Sequence, residues 1–271
     1  MRIRVLELAK ACHPQPTVAV TALTTVLFAS AGNTALACLV AALAIGTGQL
    51  SIGWSNDLTD RGRDVAAHRS DKPLATGRLT APDLRIACLA ALGLTVPLSL
   101  ALGWLPGLVH LSAVAAGWLY NYRLKFNRLS VLAYLYAFGS LPIIATTALG
   151  HPHLPPYLIV LAAALIGSAA HYANVLPDIA DDLAAGVRGL PQRAGLHGAT
   201  AAACSASFLG TLCVLLSQPG WLTAAGLVAV VGVVALAARA AARDRPAVVF
   251  NAIIGCAAIN VALIVATDAL R

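Results

Sequence analysis

The chain has 271 residues, 59% of them hydrophobic and only 11% charged, with a formal net charge of +7 and a mean hydropathy of +0.80. This composition excludes a soluble globular domain and is typical of a polytopic membrane protein. The chain also lacks a basic module interleaved with aromatic residues, which argues against nucleic-acid binding.

Apolar segments recur along the whole chain and predict its membrane spans. The basic N-terminus is followed by no convincing small-residue cleavage site, so we do not expect a cleaved signal peptide. A spanning helix needs about 20 mostly apolar residues, and this length predicts an all-α bundle of about nine spans in one membrane domain, residues 1–271. In chain order the predicted spans are 17–31, 35–55, 84–103, 106–120, 130–149, 155–176, 199–217, 221–238 and 247–267.

The positive charges predict which side of the membrane each loop faces. Every Lys and Arg except the terminal Arg271 falls before the first span or after an even-numbered one, and the four opposite turns carry none. By the positive-inside rule that side, with the N-terminus, is predicted to be cytoplasmic. The six cysteines lie mostly inside apolar segments without a CxxC pair, so they are interpreted as small core residues.

Two short segments hold six of the eleven acidic residues. The first, NDLTDRGRD at 56–64, follows the second span, and the other, NVLPDIADD at 174–182, follows the sixth. If each continues helically, the first places Asn56, Asp60 and Asp64 along one stripe with Asp57 beside it, and the second does the same for Asn174, Asp178 and Asp182, with a kink at Pro177. Like charges at this spacing repel each other, so we expect a cation between them.

Hard oxygen ligands of this kind suit Mg²⁺, which is commonly shared with substrate phosphates. Basic residues follow the same spans on the same side: Arg61, Arg63, Arg69, Lys72 and Arg78 after the second, Arg123, Lys125 and Arg128 after the fourth, and Arg188 and Arg193 after the sixth. A diphosphate bridged by Mg²⁺ fits both halves of this pattern, because the metal and the basic groups together neutralise the charge of a leaving diphosphate.

These motifs resemble those of the UbiA superfamily of intramembrane prenyltransferases, which includes related terpene cyclases. The signature NDxxDxxxD is matched at residues 56–64, and DxxxD is matched by Asp178 and Asp182. The stretches KPLATGRLT at 72–80 and YNYRLK at 120–125 are also similar to family segments. The resemblance covers nearly the whole chain.

The resemblance implies a central cavity open to lipid and capped on the cytoplasmic side by the aspartate motifs. It implies Mg²⁺ ligands at Asn56, Asp57, Asp60, Asp64, Asp178 and Asp182. Of these, Asp60, Asp64, Asp178 and Asp182 are the expected catalytic residues. Diphosphate contacts are implied for Lys72, Lys125, Arg128, Arg69 and Arg78, with the isoprenyl tail among the spans.

The activity that the resemblance implies is ionisation of an allylic isoprenyl diphosphate, followed by transfer of the prenyl group to a lipophilic or aromatic acceptor. Aromatic faces could stabilise the cation; the candidates are Trp54, Trp118, Tyr120, Tyr134, Tyr136, Phe138 and Tyr172. The arginine that often precedes proline before the first span in members acting on aromatic acids is His13 here, which argues against a benzoate-type acceptor. His13 and His171 are candidate bases or polar lining, or purely structural residues.

Three alternatives stay open at this point. A membrane terpene cyclase would share the ionisation step, but a double bond of the substrate itself would attack the cation and no acceptor would exist. A transporter or channel would place acidic residues along an ion path, yet no predicted span carries one at mid-depth. A non-catalytic lipid-binding relative is disfavoured because the metal-ligand set is complete. Chain length of the prenyl group, the acceptor and the oligomeric state leave no signal in the sequence.

Overall fold

A computed structural model describes residues 2–148 and 152–271, and its regular structure there is entirely helical. The all-α fold class is thus confirmed. The helices are α1 (Arg2–Ala11), α2 (Pro14–Ser30), α3 (Ala35–Ala66), α4 (Ala81–Leu100), α5 (Trp104–Tyr122), α6 (Ser130–Thr147), α7 (Tyr157–Val175), α8 (Ile179–Ala184), α9 (Leu190–Ser217), α10 (Trp221–Ala241) and α11 (Pro246–Ala266), with 3-10 turns at Leu124–Phe126 and Leu176–Asp178.

The long helices coincide with the predicted spans. Within the described residues, seven helical segments are long and apolar enough to cross a membrane. Helices α2 and α5 do not meet that measure, so the number nine stays a prediction. Residue 149, the end of the span predicted over 130–149, lies outside the described residues, as do Gly150 and His151 of the next turn.

Helix α3 is much longer than its apolar segment. Thr34 caps its start by accepting a hydrogen bond from the Ala37 amide, and the helix then runs for 32 residues without a break. At about 1.5 Å per residue it is roughly 48 Å long, whereas the hydrocarbon core of a bilayer is about 30 Å thick. Its last turns therefore extend beyond the apolar layer, and the helical continuation expected through Asn56, Asp60 and Asp64 is present.

The second acidic segment is built differently. Pro177 lacks a backbone amide hydrogen and clashes with the preceding turn, so it kinks or breaks an α-helix. Helix α7 accordingly ends at Val175, a 3-10 turn carries Asp178, and the short α8 carries Asp182. The expected kink is present, but the expectation of one continuous helical stripe was wrong for this segment.

The helices form a closed ring of neighbours. Long helices that follow one another in the chain pack side by side, and contacts of α2 with α6 and α11 complete the circle. The largest apolar cluster, which includes Phe28, Ile144, Ile159 and Val214, lies at the end of the bundle away from the acidic segments. The central cavity and its aspartate cap stay predictions.

Helix α1, which the sequence pattern did not suggest, packs against α3 beside the first acidic segment. The Trp54 indole Nε1 donates a hydrogen bond to the Leu8 carbonyl at 2.9 Å. The junction between α1 and α2 then comes so close to α3 that a β-carbon on Gly53 would lie 2.3 Å from the Cys12 carbonyl oxygen. Gly53 thus permits the approach that brings His13 to the acidic segment.

We expect Gly53→Ala to destabilise the folded protein by about 1–3 kcal/mol, because the added methyl group overlaps rigid backbone. Thermal unfolding in detergent measures this change. The matched control is Gly62→Ala on the same helix, where a β-carbon meets no atom within 4 Å. That control should be neutral or stabilising by up to about 1 kcal/mol through helix propensity, so equal unfolding temperatures for the two variants would contradict the proposed close packing.

Candidate active site

The Asp57 carboxylate is the most deeply buried acidic group of the first segment, with its residue only 1% exposed. Its Oδ1 accepts a hydrogen bond from Lys72 Nζ at 2.8 Å and lies 3.1 Å from His13 Nε2. Its Oδ2 is also buried and has no hydrogen-bond partner among the residues that the structure describes. A buried oxygen without a donor is destabilising by about 1–3 kcal/mol, so this atom is available to a ligand or metal ion.

His13 joins the same group of side chains. Its Nε2 lies 3.2 Å from Lys72 Nζ and 3.3 Å from Asn56 Nδ2. The residue adopts a left-handed backbone conformation, with φ of 55°, at the start of α2. A non-glycine residue is rare in that region, and here the conformation directs the imidazole towards α3.

Lys125 reaches the first acidic segment from the 3-10 turn after α5. Its Nζ donates to Asn56 Oδ1 at 3.2 Å and forms an ion pair with Asp60, which also pairs with Arg63 one turn further along α3. Lys125 is 5% exposed. Burial lowers the pKa of its ammonium group, and the Asp60 carboxylate opposes that shift.

The second acidic segment faces the same end of the bundle. Asp182 Oδ2 accepts a hydrogen bond from Gln192 Nε2 at 2.8 Å. Asp178 Oδ1 lies 3.9 Å from the guanidinium of Arg69, which comes from the loop after α3. Asp60 and Asp182 also lie within electrostatic range of each other. The structure therefore brings the two segments together on one side of the bundle.

Arg69 connects the loop after α3 to both acidic segments. It donates two hydrogen bonds to Asp71, both at 2.9 Å, and this bidentate pairing raises the pKa of Arg69. The same contact lowers the pKa of Asp71 to about 2. Asp64 is half-buried nearby, within electrostatic range of Lys72 and Asp60.

Two residues predicted to bind the diphosphate, Arg78 and Arg128, lie beside other parts of the chain. Arg78 Nε is 3.5 Å from Glu7 Oε2, and its guanidinium also donates to the Ser70 carbonyl, so it braces the loop against α1. Arg128 is exposed and lines a separate surface groove with Leu190 and Arg193. Two residues of the site were not predicted from the sequence. Nothing in the sequence marks the contact of Gln192 with Asp182. Arg63, in contrast, is three residues from Asp60, and helix periodicity could have predicted that pair.

The donor set fits a hard divalent cation in its chemistry. The amide and carboxylate oxygens of Asn56, Asp57, Asp60, Asp178 and Asp182 are the ligand types that Mg²⁺ takes. The buried Asp57 Oδ2 has no partner within the described part of the chain. Among the described residues, no three Asp, Glu, His or Cys side chains are close enough to hold an ion by themselves. Lys72, Lys125 and Arg63 neutralise the carboxylates instead.

An aromatic cluster lies directly beneath the acidic segments, on the membrane side. The Tyr134 and His171 rings stack at 4.4 Å, with Tyr120 edge-on to both and Tyr172 and Phe138 at the margins. Tyr120 lies within electrostatic range of Asp60 and Asp182.

The other aromatic candidates are engaged elsewhere. Trp54 binds the Leu8 carbonyl, Trp118 donates to Ser51, and Tyr136 pairs with Ser112.

Proteins of known structure share this fold. The fold is similar to a UbiA homolog from Archaeoglobus fulgidus bound to GPP and Mg²⁺, with a TM-score of 0.75 at 16% identity over 95% of this chain and 97% of that one. It is also similar to the apo structure of a UbiA homolog from Aeropyrum pernix K1, with a TM-score of 0.76 at 17% identity over 93% and 98%. A structure of digeranylgeranylglyceryl phosphate synthase gives a TM-score of 0.72 at 16% identity over 99% of both chains.

At these identities the structures establish the fold alone. No curated protein sequence matches the chain at a significant level. The model of the UbiA prenyltransferase family, however, matches residues 18–263, which is nearly the full length. The chain therefore belongs to the UbiA prenyltransferase family.

Proposed function

We propose that this protein ionises an isoprenyl diphosphate in a Mg²⁺-dependent reaction and transfers the prenyl group to a lipophilic or aromatic acceptor. The observation that carries the proposal is the meeting of the two acidic segments at one end of the bundle with Lys72, Lys125 and Arg69 between and beside them. The relatives of known structure that bind GPP or DMAPP together with Mg²⁺ support the same substrate class.

The metal would be held by Asn56, Asp57, Asp60, Asp64, Asp178 and Asp182, in part through the substrate. When bound, Mg²⁺ supplies Lewis-acid stabilisation of the charge on the leaving diphosphate. Asp57 and Asp60 already have basic partners, so metal and substrate would enter a site in which part of the negative charge is neutralised.

The basic residues would bind and orient the diphosphate. Lys72 and Lys125 each hold a carboxylate of the first segment and have further N–H donors for phosphate oxygens. Arg69 lies at the boundary between the segments. Arg78 and Arg128 are the weaker candidates, because one braces the loop against Glu7 and the other is on the surface.

The aromatic cluster would accommodate the reacting end of the prenyl chain. Its rings present apolar faces with negative quadrupoles, which attract a cation. A site among the spans that holds few waters would protect an allylic cation from hydrolysis. We further propose that the acidic segments face the cytoplasm, in accordance with the loop charges, and that residues 1–271 act as one membrane domain.

A terpene cyclase is the second candidate, and the position of His13 favours it. His13 occupies the place where a free arginine would meet the carboxylate of an aromatic acid, but its Nε2 is engaged with Asp57, Lys72 and Asn56. An acceptor carboxylate would have to compete with Asp57 for Lys72, the cation beside His13. In this reaction a double bond of the prenyl chain attacks the cation and no acceptor is required.

Product analysis separates the two candidates. Purified protein is incubated with Mg²⁺ and geranyl, farnesyl or geranylgeranyl diphosphate, each alone and with 4-hydroxybenzoate, a dihydroxynaphthoate or geranylgeranylglyceryl phosphate. We expect diphosphate release and a prenylated acceptor. A cyclic hydrocarbon or alcohol formed without acceptor would establish the cyclase instead, and no diphosphate release under any condition would contradict both.

A further inference from the structure

Two histidines are buried inside the helix bundle, and they differ in one respect. His110 is 4% exposed and its Nδ1 lies 2.7 Å from the Ser99 hydroxyl. His171 is 1% exposed and its Nε2 lies 3.0 Å from the Ser130 hydroxyl. Only in His171 is the other ring nitrogen, Nδ1, both buried and without a hydrogen-bond partner in the part of the chain that the structure describes.

The imidazole of His171 is held in one orientation by its surroundings. Tyr134 stacks on it at 4.4 Å and 28°, and Tyr120 meets it edge-on at 5.5 Å. Ser130 Oγ also accepts a hydrogen bond from the Leu190 amide at 3.0 Å. We assign the Nε2–H tautomer, in which Nε2 donates to Ser130 Oγ and Nδ1 keeps a free lone pair.

His171 belongs to the aromatic cluster in which the proposed function places the reacting end of the prenyl chain. His171 is in the last turns of α7, which ends at Val175, and Asp178 follows in the adjoining 3-10 turn. Its neighbour Tyr120 lies within electrostatic range of Asp60 and Asp182. In the described residues His171 has no ion pair with a carboxylate, unlike His13. The group is therefore near the diphosphate site without being a metal ligand.

We propose that His171 Nδ1 removes the proton that the reaction releases, an inference that rests on the proposed function. Ionisation breaks the bond between C1 and the diphosphate oxygen, and the electron pair leaves with the diphosphate. The new bond forms from an electron pair of the acceptor or of a double bond in the prenyl chain. Either route leaves one surplus proton on the product, and the Nδ1 lone pair accepts it.

The decisive variant is His171→Gln. A glutamine amide reaches the position of Nε2, so it can keep the contact with Ser130, but it offers no base at the position of Nδ1. In the assay above, the measured quantity is the amount of prenylated or cyclised product per diphosphate released. We expect this ratio to fall at least about tenfold, since general-base catalysis typically contributes a hundredfold or more. Prenyl alcohol, formed by water capture, makes up the difference.

His110→Gln is the matched control. It removes a similarly buried imidazole that also lies beside a serine, but on α5 and away from the acidic segments. This variant should leave the ratio unchanged. His171→Asn, which also lacks a basic nitrogen, should reproduce the low ratio if His171→Gln folds poorly. If diphosphate release and product fall in parallel in both His171 variants, the ratio is unchanged, His171 has a structural role and the proposal is overturned. An unchanged ratio with diphosphate release as in wild type would overturn it too. A wild-type protein that releases no diphosphate would instead contradict the proposed function itself.

Discussion

Asp60→Asn and Asp182→Asn, each made alone, are expected to lower Mg²⁺-dependent diphosphate release at least about a thousandfold. Removal of one preorganised electrostatic group from an active site typically decreases the rate a hundredfold to a thousandfold, and each aspartate is also a proposed ligand of the metal. Asp60 is the meeting point of Lys125 and Arg63, and Asp182 is oriented by Gln192. The measurement is the initial rate of diphosphate release from geranylgeranyl diphosphate as a function of Mg²⁺ concentration.

The control for this pair is Asp244→Asn. Asp244 is exposed and its φ is 53°, a left-handed conformation that asparagine also adopts readily. The substitution therefore removes one carboxylate charge without straining the backbone. Rates within tenfold of wild type for Asp60→Asn and Asp182→Asn, with unchanged Mg²⁺ dependence, would contradict a metal-binding role for the two segments and revive the transporter hypothesis.

The helices were predictable because membrane spans impose a strong pattern. A backbone in lipid must satisfy its own hydrogen bonds, so long apolar segments become helices, and each long helix coincides with a predicted segment. Helix α1 was not anticipated, since its alternating basic and apolar residues in RIRVLELAKA give no clear helical stripe. The break after Val175 could be located from Pro177, but the 3-10 turn that carries Asp178 could not.

The composition of the site was predictable to a smaller extent. Acidic and basic residues that follow spans on the same side of the membrane indicated which groups could meet, and Lys72, Lys125 and Arg69 do lie beside acidic residues. The pairing of particular side chains depends on loop geometry, which leaves no periodic signal. Arg78 is thus drawn to Glu7 of the unanticipated α1, and His13 is turned towards Asp57 because Gly53 lets the two helices approach.

Lys125→Met is expected to decrease diphosphate release at least about a hundredfold, the size of a lost charge contact to the leaving group. It should also change how Mg²⁺ affects stability. In the wild-type protein the buried ammonium occupies Asn56 Oδ1 and Asp60, so an entering cation must compete with it. Methionine fills a similar volume without charge and leaves Asp60 with Arg63 as its basic partner.

Without Mg²⁺ we expect the variant to have a smaller free energy of unfolding and therefore to unfold at a lower temperature. The loss should be less than the ~3–5 kcal/mol typical of a fully broken buried ion pair, because Arg63 still pairs with Asp60. With Mg²⁺ we expect a larger rise in unfolding temperature than in wild type, since a ligand that binds only the folded state stabilises it more when it binds more tightly. Thermal unfolding in detergent over a Mg²⁺ series measures both effects. Lys10→Met is the control, because Lys10 pairs with Glu7 and its side chain is 43% exposed. Equal Mg²⁺ stabilisation of wild type, Lys10→Met and Lys125→Met would show that the Lys125 ammonium and the metal do not share these oxygens.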